Sequence, residues 1–325
     1  IYVSPTGNDK NPGTQTKPIA SFEKAQQLVR NLDNRSKVKV IFSKGTYYLP
    51  ETIRFTEKDN KASVVYTAEK EGGAILSGGS LLKLKWTLYE RGIYKATVPA
   101  NTVMDQLYIN GVRQRMARFP NVIEGKKVFD TWDLSHDAKP DPALDPLNTK
   151  RISHWKNPEG GYIHAMHAYL WGDMHWLIKG KNKDGSLIEE GGWQNNRPSP
   201  RHPVFRIVEN IFEELDAPGE WFFNSADEML YYMPAKGVDI NKARVEIVRL
   251  KHLIEFTGSK EHPVCNIELK GFVFRHAART FMENKEPLLR SDWTVYRGGA
   301  VFFEEAKNCR ITDCEFDQVG GNAVF

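Results

Sequence analysis

The chain has 325 residues, a formal net charge of +4, and 40% hydrophobic against 26% charged residues. That balance is ordinary for a globular protein with a sizeable core, and the charge is too small and too evenly spread to select nucleic acid as a partner. Apolar runs stay short of the ~18 residues that a membrane span needs, and three cysteines (Cys265, Cys309, Cys314) are too few for a disulfide scaffold.

The chain opens at Ile1 with no apolar leader, which fits processing for secretion and equally fits trimming. Its first stretch, "YVSPTGNDKNPGTQTKPIASFEKAQQLVRNL", reads as a strand, a Gly/Asn/Asp/Pro loop and a short helix. Ser21 is the expected N-cap, with Glu23 in the first turn where the helix dipole favours an acid. Phe22, Ala25, Val29 and Leu32 fall on one helical face, so this helix is expected to cap something apolar. Then come "KVKVIF", "GTYYL", "TIRF", "SVVYTA" and "AILSGG", short β-branched and aromatic runs parted by turns. No helical pattern separates them, which argues against βαβ units. From Leu81 to Arg244 the texture changes: Trp and His are frequent, and loops such as "DAKPDPALDP" interrupt the spacing. "QLYINGVRQRMARFP" and "EWFFNSADEMLYYMP" read as strands and hairpins, the second turning at Asn224 to Glu228. An inserted β-rich module is expected here.

After Arg244 the chain repeats itself. "NIELKGFVFRHA" from Asn266 lies over "NCRITDCEFDQV" from Asn308, matching Ile267 with Cys309, Leu269 with Ile311, Phe272 with Cys314 and Phe274 with Phe316. Ile254-Glu255-Phe256 lies likewise over Val301-Phe302-Phe303, and Ala300-Val301-Phe302 over Ala323-Val324-Phe325. Short strands recurring in register predict a solenoid, a parallel β-helix whose coils bury their faces on one another. The step of 23 residues from Ala300 to Ala323 makes the last triplet the start of a new coil, so further coils and a C-terminal cap are expected beyond Phe325. All three cysteines sit at or beside inward positions, where a thiol acts as a small apolar side chain. The predicted divisions are 1–80 for the N-terminal cap and first coils, 81–244 for the insert, and 245–325 for truncated coils.

The opening stretch, "LYINGVRQRMARFPN", "EWFFNSADEMLYYMP", "EPLLRSDWTVYRGGAVFFEEAKNCRITDCEF" and "VGGNAVF" together give the chain its resemblance. Over its whole length it resembles the right-handed parallel β-helix glycosidases, most of all glycoside hydrolase family 141. That resemblance implies an all-β, right-handed parallel β-helix with a β-sandwich-like insert. It also implies α-L-fucosidase or xylanase action on plant cell-wall glycans.

Candidate site residues come from three places. The segment "RTFMENKEPLLRSDWTVYRGG" carries Glu283, Glu286, Arg290, Asp292 and Arg297 among Trp293 and Tyr296, acids and bases beside rings that can stack on a sugar. A solvated, salt-bridged loop is the competing reading. Next, Asp317 and Gln318 stand one coil after Arg275 and His276, before Gly320-Gly321-Asn322, where stacked coils bring polar groups to one edge. A polar ladder of turn residues is the alternative there, and Glu304 and Glu305 are expected to be solvated. In the insert, His164, His167 and His175 accompany Trp171, Asp173 and Trp176. On a strand, residues i and i+3 point opposite ways, so no metal is expected, and Trp171 and His175 are candidates for sugar contact.

The expected activity is a secreted or periplasmic glycoside hydrolase using carboxylate acid/base catalysis on a plant-type polysaccharide or oligosaccharide. Asp317, Asp292 and Glu286 are the catalytic candidates. His276, Arg279, Arg290, Trp293, Arg297, Gln318, Asn322, Trp171 and His175 are the substrate-binding ones. No cofactor is expected. A polysaccharide lyase, with Arg275, Arg279, Arg290 and Arg297 facing a uronate, and a non-catalytic glycan-binding solenoid are the alternatives.

Overall fold

The computed structural model describes residues 1–32, 37–60, 62–123, 125, 141–197, 199–288 and 293–325. The fold is mostly β. It divides into two units, residues 1–80, 248–280 and 297–325 forming the first, and 81–247 with 281–296 the second. Two boundaries therefore differ from expectation. The strand Val245–Val248 pairs with Leu107–Ile109 of the insert, which carries the second unit past Arg244. Residues 281–296, expected among the coils, are tied to the insert by the Asn195–Trp293 bridge and the Thr294 N–H donating to the Gln194 carbonyl.

In the first unit, the Asp9 carboxylate accepts from the Ala20 and Ser21 N–H groups and from Ser21 Oγ, which fixes the loop ahead of the helix Phe22–Arg30. Ser21 Oγ in turn accepts from the Lys24 N–H at 3.1 Å, satisfying one of the donors a helix start leaves open. Phe22, Ala25 and Val29 are buried, and the Phe22 ring stacks on Tyr66 with centroids 4.9 Å apart. Leu32 does not continue that face. The helix stops at Arg30, Asn31 caps it, and Leu32 is left 37% exposed.

Behind the helix, every named strand pair of this unit is parallel. One sheet runs Tyr2–Val3, Lys37–Phe42, Ser63–Ala68, Ile267–Lys270, Arg310–Thr312, and a second Ile53–Phe55, Ile254–Thr257, Val301–Glu304. A third runs Gly45–Tyr48, Ala74–Ser77, Phe272–Ala277, Glu315–Val319. Matched residues stack across them: Ile53, Ile254 and Val301; Phe55, Phe256 and Phe303; Tyr66, Leu269 and Ile311; Leu76, Phe274 and Phe316. Rings of Phe256 and Phe303 lie 4.4 Å apart and nearly parallel, and those of Phe274 and Phe316 5.0 Å apart. Val324 bridges Val301 in parallel, so the last triplet also pairs as its resemblance to residues 300–302 predicts.

Corners between these sheets use residues that tolerate left-handed backbone. Asn266 (φ 61°) and Asn308 (φ 56°) occupy equivalent corners, and the Asn308 amide nitrogen lies 3.4 Å from Asn266 Oδ1. A short polar side chain eases the φ that most residues avoid. Cys265, Cys309 and Cys314 are unbridged; Cys309 and Cys314 pack against the core, and burial pushes both thiols up.

The second unit is built mainly of antiparallel pairs. The strand Glu220–Asn224 turns back into Met229–Tyr232, with Asn224 opposite Met229 and Glu228 in the left-handed region, the turn expected from the sequence. Trp221 and Tyr232 are buried in one core of this unit with Leu107, Ile109 and Ile247. A five-stranded sheet runs Arg118–Phe119, Arg201–Glu209, Tyr162–His167, Asp173–Lys181, Leu187–Gly191, and buries Trp155, Ile163, Ile178 and Val208.

Candidate functional site

The first unit holds nine of the residues singled out in the sequence. Parallel register sets Asp317 beside Arg275, and the guanidinium Nε donates to Asp317 Oδ2 at 2.6 Å. The Gln318 amide adds a second donor to the same oxygen at 3.1 Å. Two donors on one oxygen fix the orientation of this carboxylate. His276, expected at an open edge, is instead 1% exposed, with Nδ1 3.2 Å from Ser77 Oγ. It follows Phe274 by two residues and so shares the buried face of the strand Phe272–Ala277, with φ +62° here and +56° at Gln318 of the neighbouring strand. The Asn322 amide donates to the Gly298 carbonyl at 2.9 Å, a hydrogen bond that closes the last turn. Arg279 is half-buried and Arg297 exposed, as are Glu304 and Glu305.

The second unit gathers Trp171, His175 and Trp293 with partners the sequence did not supply. The strands Tyr162–His167 and Asp173–Lys181 pair with His164 opposite His175, and Arg201–Glu209 flanks the former. The result is a row of four titratable groups. Glu209 Oε1 lies 3.1 Å from His164 Nε2, His164 Nδ1 2.7 Å from His175 Nδ1, and His175 Nε2 3.4 Å from Asp173 Oδ2. Phe281 roofs both imidazoles, its ring centroid 5.2 Å from His164 and 4.9 Å from His175. The buried Gln194 accepts from the His175 N–H and donates to the Phe281 carbonyl, locking strand and roof together. The Asp173 end is open, its side chain 68% exposed, while Glu209 is nearly covered. The imidazole of His175 holds the Asp173 carboxyl below the usual carboxylate range.

Beyond Asp173 the turn between those strands carries aromatic surface. Tyr169 and Trp171 are 59% and 61% exposed, and Trp171 stacks on His167 with centroids 5.1 Å apart and planes 10° from parallel. The Tyr169 N–H donates to His167 Nδ1, which fixes that ring under the tryptophan. Trp293 lies over Gly172, where an added Cβ would come within 2.7 Å of the indole. Only glycine admits that approach. Exposed indole and phenol faces beside carboxylate and imidazole are what a sugar's apolar face and hydroxyls require.

The 2.7 Å Nδ1–Nδ1 contact needs one proton between the two rings. Nitrogen-15 NMR is expected to show a single strongly deshielded Nδ1 proton common to the two rings, lost in His175→Phe. Two rings whose Nδ1 atoms share no proton would refute that contact.

Of the remaining candidates, Glu286 is exposed on a short strand pairing with Thr294–Val295. Arg290 and Asp292 lie outside the described residues. Asp317 belongs to the first unit and Glu286 to the second. Among the described residues no group of three His, Cys, Asp or Glu side chains forms a metal-binding set, and no helix is long and apolar enough to cross a membrane.

No family model and no curated protein matches the chain. Among solved structures, one named "Glycoside hydrolase" superimposes with a TM-score of 0.78 at 20% identity, over 100% of this chain and 63% of that one. The chain thus has a glycoside hydrolase-like fold and spans less than two thirds of that neighbour's length. A complex of XylC with xylose matches 95% of this chain and 40% of its own, at a TM-score of 0.38 and 14% identity.

Proposed function

We propose that the chain is part of a secreted or periplasmic glycoside hydrolase of the family 141 type, acting on a plant-type polysaccharide with the first unit as a right-handed parallel β-helix. The observation that carries this reading is the whole-chain likeness to a structure named as a glycoside hydrolase. Parallel registers stacking Phe55, Phe256 and Phe303 favour the β-helix, and the exposed Tyr169 and Trp171 favour a glycan as substrate.

In this reading Asp317 is the base or nucleophile, its carboxylate held in place by Arg275 and Gln318. A glycan screen tests both levels. New reducing ends without ultraviolet absorbance are the expected product, and unsaturated, absorbing ends would mean a lyase. Asp317→Asn keeps the side chain's size and is expected to lower turnover by about 10²–10⁴-fold. If that variant turns over normally, the carboxylate serves only the ladder between coils.

A further inference from the structure

We propose that the second unit carries a separate sugar-binding cleft, about 600 Å³ in volume, that takes a neutral monosaccharide or short oligosaccharide. Its walls come from the hairpin Glu220–Asn224/Met229–Tyr232, from Tyr162 and Leu177–Lys179 of the five-stranded sheet, and from residues 210–213. The choice of a sugar rests on the glycan reading above, but the cleft shares no residue with the row at His164 and His175 or with Asp317.

Three features define what fits. First, the cleft is ringed by aromatic faces. Tyr89 packs edge-on to Tyr231 with centroids 5.3 Å apart and remains 40% exposed, and Phe223 is half-buried beside them. Second, two acceptor oxygens of cleft-lining residues, Glu213 Oε2 and Asn210 Oδ1, are buried without a hydrogen-bond partner among the described residues. The other ends of both side chains are committed: Glu213 Oε1 accepts the Lys156 N–H at 2.9 Å, and Asn210 Nδ2 donates to the Gly160 carbonyl at 2.8 Å. A buried acceptor left unmatched costs free energy that a ligand hydroxyl recovers. Third, Lys156 and Lys179 are balanced by Glu159 and Glu213, which gives a charged ligand no advantage. A molecule with apolar ring faces, several hydroxyl donors and no charge satisfies all three, and the volume falls in the range of small-ligand sites.

The test titrates the full chain with glucose, xylose, fucose, xylotriose, cellotriose and glucuronate, followed by calorimetry and saturation-transfer NMR. At least one neutral sugar is expected to bind. Glu213→Gln leaves Oε1 for Lys156 but turns the unmatched acceptor into a donor, and Tyr89→Ala removes a surface ring without touching a core. Each is expected to weaken binding about tenfold or more. Binding that persists in a chain without turnover upholds the cleft and counts against the hydrolase. The proposal is overturned if no neutral sugar binds, if both cleft variants bind as the parent does, or if glucuronate alone binds.

Discussion

Replacing Phe256 by Ala is expected to destabilise the first unit by on the order of 3–5 kcal/mol, read as a shift of the denaturant midpoint. Phe256 is fully buried, with Phe55 4.9 Å away in the strand before and Phe303 4.4 Å away in the strand after. Truncation removes the ring from water-free packing and leaves a cavity that neither neighbour can fill, since each is pinned by its own parallel register. The alternation of a strand supplies the control. Phe302 points the other way, over Glu255, and is half-buried against His252 and Phe325. Phe302→Ala should cost no more than about 1 kcal/mol. Equal losses at the two positions would mean that inward and outward faces have been assigned wrongly.

A second large effect is expected at Glu220, where burial pushes the carboxyl up to about 7 from its ordinary 4.5. The residue is 3% exposed, and its Oε2 accepts from the Asp216 and Ala217 N–H groups. Below pH 4.5 the folded and unfolded chains both hold this proton, and the burial carries no charge penalty. As pH rises from 4.5 to about 7 the unfolded chain releases the proton while the folded chain keeps it. Stability therefore falls through that window, by about 3 kcal/mol when complete. Glu220→Gln retains an acceptor oxygen for the two N–H groups and cannot ionise. Its unfolding free energy should lack this slope, so that its advantage over the parent grows by about 3 kcal/mol between pH 4 and pH 8. Parallel curves for the two proteins would show that the carboxyl titrates normally.

How far the sequence reveals these features depends on the distance over which each is encoded. Phe274 over Phe316 and Ile254 over Val301 are legible because like residues stack on like residues, and one repeat can be laid on the next by eye. His164 and His175 stood out as a cluster, but spacing along one strand says nothing of a cross-strand contact, and Glu209 arrives from a third strand with no local mark. Phe281 and Gln194 carry no local mark for the same reason; each acts through a loop that closes on the strands only in the fold. His276 departs from expectation because stacking of polar residues at one edge groups it with Arg275, whereas alternation after Phe272 and Phe274 carries it to the buried face. Left-handed corners leave a trace at Asn266 and Asn308 and none at a histidine.

The order in which the strands appear has a consequence for biosynthesis. The strand Ile53–Phe55 has its partner at Ile254–Thr257, and Arg54 meets Glu255 across 201 residues of chain. Ser63–Ala68 likewise waits for Ile267–Lys270. On a ribosome adding about 5–20 residues per second, those edges stand open for roughly 10–40 s while the second unit is made. Such edges recruit other strands. The nascent chain therefore needs either a holding chaperone over its first 80 residues or a second unit that folds quickly enough to bring residue 248 back before a neighbouring polysome does.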